Sequence, residues 1–273
     1  MPLVAARVME LVGDERTTPE DLAAVVSTDQ ALTAKLIRLA NSAEYAFARR
    51  CANARDAIHL LGFLQVRQFA VTASLMSLFQ GPAGTDPDFD ADLFWAHSLT
   101  VAVACEIVAK STGASRADEA FTAGILHDIG QLVLRRVAPA KFHEAAALAR
   151  SEEIPLHEAE RKVMGYSHQE IGEALARKWC FPPHLVSAIA DHHDATLTVP
   201  ADGLRGIVSC CDQLVLREGI TCGFYGDDSD AVEITPALEN VERLAGGMTL
   251  VMNRASRLID EVLGRVDADE AGE

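Results

Sequence analysis

Apolar residues recur at intervals of three and four along most of this 273-residue chain, the period of helices that bury one face. Near the start, Thr18 and Pro19 with Asp21 predict a capped helix with proline in its first turn. Thr28-Asp29 opens a second helix, in which Leu32, Leu36 and Leu39 share one side. Asn53, with Asp56 three residues on, starts a third through Ile58 and Leu61, which Gly62 can end in the left-handed conformation. A fourth follows with Val66, Phe69, Ala73, Met76 and Phe79 in register. Gly81, Pro82, Gly84 and Pro87 forbid a continuous helix, so 81–88 is expected to be a connecting loop and a subdomain boundary.

Beyond that loop an Ala- and Val-rich helix is expected from Asp92 to about Lys110. A second is expected over 119–136, where Phe121, Ile125, Ile129, Leu132 and Val133 fall on one face. Ser167 and Glu170 form a capping box that makes His168 the first residue of a helix carrying Ile171, Leu175 and Trp179. Pro182-Pro183 starts another, with Leu185, Val186 and Ile189 inward. Leu204, Val208, Cys211 and Val215 then form one stripe with Asp212 at its edge. Residues 219–235 predict an exposed loop. Leu238, Val241 and Leu244, then Leu250, Val251, Ile259 and Val262, predict one or two final helices, and the acidic end from Asp267 is expected to be disordered.

Composition narrows the class. Hydrophobic residues make up 49% but aromatics only 5%, and the prevalence of Ala, Leu and Val favours helices over sheets. The expected fold is all-α. A formal net charge of −16 with no basic block leaves counterion release unable to drive general nucleic-acid binding, and it disfavours anionic membranes. The helix–Gly–helix at 53–79 therefore reads as packing rather than as a DNA-reading element. No uninterrupted apolar run reaches the roughly 18 residues of a membrane span, and the first residues lack the basic start and apolar core of a signal peptide. A cytoplasmic location is expected. The six cysteines (51, 105, 180, 210, 211 and 222) show no C-x-x-C spacing and read as ordinary thiols.

Chemistry concentrates in the middle of the chain. His127-Asp128 is set into an apolar run, and a buried imidazole–carboxylate doublet is costly unless paired or bound to a metal. His97 lies one helical turn from both Leu93 and Val101, so it faces inward. His168 opens a helix, His192 and His193 follow Ile189 by three and four residues, and Asp212 borders an apolar stripe. Five imidazoles and two carboxylates on inward faces suit Fe, Mn, Zn or Ni, and two such ions can clamp a phosphodiester and its attacking water. His59, His143, His157 and His184 fall on polar or mixed faces, and Glu158 and Glu160 read as a solvated helix face.

The order His97, His127-Asp128, His168, His192-His193, Asp212 resembles the ligand pattern of the HD superfamily, especially the HD-GYP phosphodiesterases that open cyclic di-GMP. That resemblance implies that His127-Asp128 would bridge or bind both ions, that His97 and Asp212 would serve one, and that His168, His192 and His193 would serve the other. Two departures stand out. The enzymes continue the doublet with Ile-Gly-Lys where this chain has Ile129-Gly130-Gln131, which removes a cation expected to hold phosphate. Nothing like the Gly-Tyr-Pro segment follows His193.

The stretch Thr28–Tyr45 resembles the opening motif of the HDOD family, and Ala57–Gly62 its second block. Phe94–Leu99, Phe121–Gly130, His168–Gly172, Trp179–Pro182 and Ala188–His193 resemble the later blocks in order. The resemblance covers about 18–215. It implies a bacterial signal-transduction regulator or scaffold that binds a signalling protein and leaves room for a nucleotide ligand. It further implies a histidine-rich site for one or two transition ions, with no other cofactor. The alternative is a metal-dependent phosphohydrolase acting on a cyclic dinucleotide or another nucleotide phosphate through Asp128 and a metal-activated hydroxide, so whether the chain is an enzyme stays open. The expected organisation is an N-terminal helical subdomain over 1–85, an HD-like bundle over 86–220, and a loop, helices and tail over 221–273, with 1–265 one compact unit.

Overall fold

The structure, a computed structural model, describes residues 7–8, 10–11, 16–42, 51–79, 89–223 and 236–263. The loop expected over 81–88, most of the one over 219–235, and the acidic end lie outside the described residues. Among the described residues the regular structure is helical, with no strand, so the chain is all-α. It divides into two compact units, Met1–Gln80 with Arg257–Glu273, and Gly81–Ser256.

In the first unit α1 (Pro19–Ser27), α2 (Gln30–Ala40), α3 (Ala54–Leu61) and α4 (Phe63–Phe79) pack on one another. Their starts follow the sequence signals. Thr18 and Asp21 form a capping box, the Asp29 carboxylate accepts from the N–H groups of Ala31 and Leu32, and Asn53 accepts from that of Asp56. Gly62 separates α3 from α4 at a φ of 91°, a conformation that a Cβ would strain. The Asn41 side chain reaches across ten residues to the main chain of Cys51, donating to its carbonyl and accepting from its N–H, each at 2.8 Å.

The second unit holds α5 (Ala91–Thr112), α6 (Ala117–Leu126), α7 (Ile129–Val137), α8 (Pro139–Glu152), α9 (Leu156–Met164), α10 (His168–Lys178), α11 (Pro183–Ala190), α12 (Gly203–Arg217) and α13 (Pro236–Leu244). The last helix is α14 (Met248–Leu263). By length and composition α5 could cross a membrane, but most of its apolar stretch is buried. It packs against α6, α12 and α13, which is the setting of a core helix. Asp90 caps its start through the N–H groups of Asp92 and Leu93, and Gly113 ends it in the left-handed conformation.

The helix anticipated over 119–136 is two helices, α6 and α7, with His127 and Asp128 in the turn between them. Two glycines let the flanking helices lie against different neighbours. A Cβ on Gly124 would stand 2.6 Å from Ala102 Cα of α5, and one on Gly130 would stand 1.9 Å from the His168 carbonyl oxygen of α10. Apolar periodicity continues through the break because both helices bury the same side of the sequence pattern. The change of direction is invisible to it.

Candidate metal centre

His97 comes from the second turn of α5, His127 and Asp128 from the α6–α7 turn, and His168 from the first residue of α10. His192 and His193 come from the turn after α11, and Asp212 from α12. The structure brings these seven side chains together inside the second unit. Six are buried, and His193 keeps 20% of its side chain exposed.

Local bonds fix each ring. The Nδ1 of His97 donates to the Ile220 carbonyl at 2.9 Å, that of His127 to Gly124 at 2.7 Å, and that of His192 to Ile189 at 2.7 Å. A carbonyl oxygen only accepts, so the proton sits on Nδ1 and Nε2 carries the inward lone pair. His168 follows the same rule with a carboxylate, donating Nδ1–H to Glu160 Oε2 at 2.7 Å. The inward nitrogens then face one another: His97 and His127 Nε2 are 3.2 Å apart, His168 and His192 3.3 Å, and His168 and His193 3.0 Å. Two lone pairs cannot bond each other. A proton or a cation must lie between them.

The carboxylates complete two ligand groups, His97–His127–Asp212 and Asp128–His168–His192–His193. Asp212 Oδ1 is 3.1 Å from His97 Nε2 and 3.4 Å from His127 Nε2. Asp128 faces both groups. Its Oδ2 is 3.3 Å from His127 Nε2, and its Oδ1 is 3.3 Å from His168 Nε2 and 3.4 Å from His192 Nε2. Asp128 Oδ1 and Asp212 Oδ2 are buried without a hydrogen-bond donor. Mixed imidazole and carboxylate donors, converging lone pairs and orphaned carboxylate oxygens fit a divalent transition ion.

The electrostatics ask for the same thing. Burial raises the Asp128 pKa, but the imidazole of His127 first, then those of His168 and His192, outweigh it and hold the carboxyl well below its usual range. Asp212 is likewise held low by His127 and His97 against its burial. Burial opposes charge on His168, yet Glu160 and Asp128 raise it to about 10. His193 is driven well down by burial and by His192 and His168. Positive charge is therefore favoured on His97, His127 and His168 and disfavoured on His192 and His193.

Two residues carry more than the sequence pattern suggested. Glu160, expected on a solvated face, is fully buried and accepts from both the backbone N–H and Nδ1 of His168. Its position four residues after buried Leu156 was the available signal, since i and i+4 share a face. His157 stacks on His193 with ring centroids 4.3 Å apart and planes 19° apart. Burial first, then His168, lower its pKa to about 4, so it is neutral at pH 7. His184 instead pairs with Glu119, and Gln131 is buried beside the doublet.

Fold and site together define an all-helical protein built around a histidine–aspartate cluster of metal-ligand type. A family model described as the HDOD domain matches residues 1–195, and the chain belongs to the HDOD family. The match takes in His97 through His193; Asp212 lies beyond it. A crystal structure of an HDOD domain protein of unknown function from Geobacter sulfurreducens is 27% identical, with a TM-score of 0.73 over 98% of this chain and 92% of that one. A candidate phosphohydrolase from Shewanella amazonensis SB2B is 26% identical, with a TM-score of 0.70 over 97% and 93%. Ribonuclease Y of Geobacter sulfurreducens is 28% identical over 193 residues, 64% of this chain and 31% of that protein. The chain spans about a third of the length of the curated relatives it matches first.

Proposed function

We propose that this protein is an HDOD-type signal-transduction regulator or scaffold, binding a signalling protein, that retains a histidine-rich centre for one or two transition ions (Fe, Mn, Zn or Ni). The observation that carries the metal reading is Asp128, whose two oxygens face the two histidine groups as a bridging carboxylate would. A regulatory role is favoured by Gln131. It occupies the place of the enzymes' lysine, is buried, and brings no charge to a substrate phosphate.

The test is metal content of protein purified without chelator, beside a His127→Ala/Asp128→Ala variant of preserved helicity. One or two transition ions per chain, lost in the variant, are expected. Their absence from the wild type would reject the centre.

A second reading, a metal-dependent phosphohydrolase, is supported by the full ligand set and by the partial exposure of His193. A bound divalent ion would supply Lewis acidity toward a phosphoryl oxygen. Asp128 and the histidines would hold the ion, the outward Nδ1 bonds would fix the rings, and His157 would support His193 by stacking. Cyclic dinucleotides, mononucleotides and, from the Ribonuclease Y resemblance, RNA form the substrate screen. Turnover abolished by His127→Ala/Asp128→Ala would establish this reading over the first. General nucleic-acid binding is not expected of a chain with net charge −16.

A further inference from the structure

Three carboxylates are buried at this cluster, and the third, Glu160, is not among its ligands. Its Oε2 accepts from the His168 N–H and from Nδ1, both at 2.7 Å, while Oε1 is buried without a donor. A carboxylate held this way is costly unless positive charge lies close. Arg161, next in the chain, is directed at Gln169 and Glu170 instead. The positive charge closest to Oε2 is one carried by the His168 ring, as a proton or cation at Nε2.

The other three rings whose Nδ1 is bonded lean on neutral main-chain carbonyls, those of Ile220, Gly124 and Ile189. A carboxylate partner makes an imidazole a stronger metal donor and fixes its orientation. His168 is thus set apart from His97 and His127, and α9 adds a second contact to the same group by stacking His157 on His193.

We propose that Glu160 is a positioning residue acting through His168, and that it makes the Asp128–His168–His192–His193 group the tighter half of the centre, filled first by a divalent transition ion. The inference rests on the metal reading above and deepens it: the two halves differ in affinity, and the difference is set from outside the ligand set.

Cobalt(II) titration of the full chain after chelator treatment tests this, with calorimetry for affinity and visible absorption for coordination. The first equivalent should bind tightly in the wild type and persist in His97→Ala. In Glu160→Gln it should weaken by about 10–100-fold with an altered spectrum, while the second step is unchanged. Glu160→Asp, which keeps the charge one methylene shorter, should recover part of that loss. A merely structural Glu160 would weaken both steps together with the melting temperature of the metal-free protein, and Glu160→Asp would recover nothing; either result overturns the proposal. So does a first equivalent that His97→Ala abolishes. Should Glu160→Gln not fold, Glu160→Asp against wild type decides, because only the first step should weaken. Wild type that takes up no cobalt removes the metal reading itself, whereas normal uptake unaffected by Glu160→Gln removes the role of Glu160 alone.

Discussion

Single residues set how closely the helices of the second unit approach. Gly130 allows α7 to lie against the main chain of α10, and an added Cβ would meet His168 and Gly172 backbone atoms that cannot swing aside. Gly130→Ala should therefore destabilise by about 3 kcal/mol, the upper part of the range for overpacked cores, and should also loosen metal. Gly113→Ala is the contrast: its Cβ meets nothing within 4 Å, and only a φ of 66° is strained, a cost of about 1 kcal/mol. Urea denaturation midpoints measure both, and equal losses would refute the packing argument. The inward position of His97 was legible in its spacing from Val101, and Asp212 in its place beside an apolar stripe. Glu160 was missed because an acidic residue among Glu158 and Arg161 looks solvated, and only its alignment with Leu156 placed it inside.

At the scale of elements, the caps were legible and the break was not. Thr18, Asp29, Asn53 and Ser167 begin helices where their local bonding chemistry predicts, since capping needs only neighbours in sequence. Ser167 matters beyond its helix, because the residue it caps is His168. Glu170 returns the bond to the Ser167 N–H at 2.9 Å. Ser167→Ala should cost about 1 kcal/mol, as N-cap losses typically do, read from the thermal midpoint of metal-free protein. The same box predicts a pH effect. Partial burial raises the Glu170 pKa, but the Ser167 bonds outweigh it and lower it from 4.5 to about 2. A depressed carboxyl stabilises the fold fully above the unfolded value near 4.5, and that contribution fades as pH falls toward 2. The stability gap between wild type and Glu170→Gln should shrink over that window; a gap that grows on acidification would contradict the assignment.

For the whole molecule, the site ties α5, the α6–α7 turn, α10, the end of α11 and α12 to one point within the second unit. An ion there links segments far apart in sequence, so binding should raise global stability by mass action, about 2.7 kcal/mol at a free concentration 100 times Kd. Thermal unfolding of chelator-treated protein with added zinc or cobalt should shift upward, and His127→Ala/Asp128→Ala should not respond. A shift in the variant equal to that of wild type would mean the ions bind elsewhere.

The sequence by itself determined what depends on neighbours within a few positions: helix content, most helix starts, the inward face of His97, His168 and His192, and the identity of the seven clustered side chains. Tertiary structure alone decided where α6 turns into α7, that Asp128 offers one oxygen to each group, and that Glu160 backs His168. Those facts depend on distances between segments tens of residues apart. The close approaches at Gly124 and Gly130 are of the same kind, and periodicity along one chain carries no information about them.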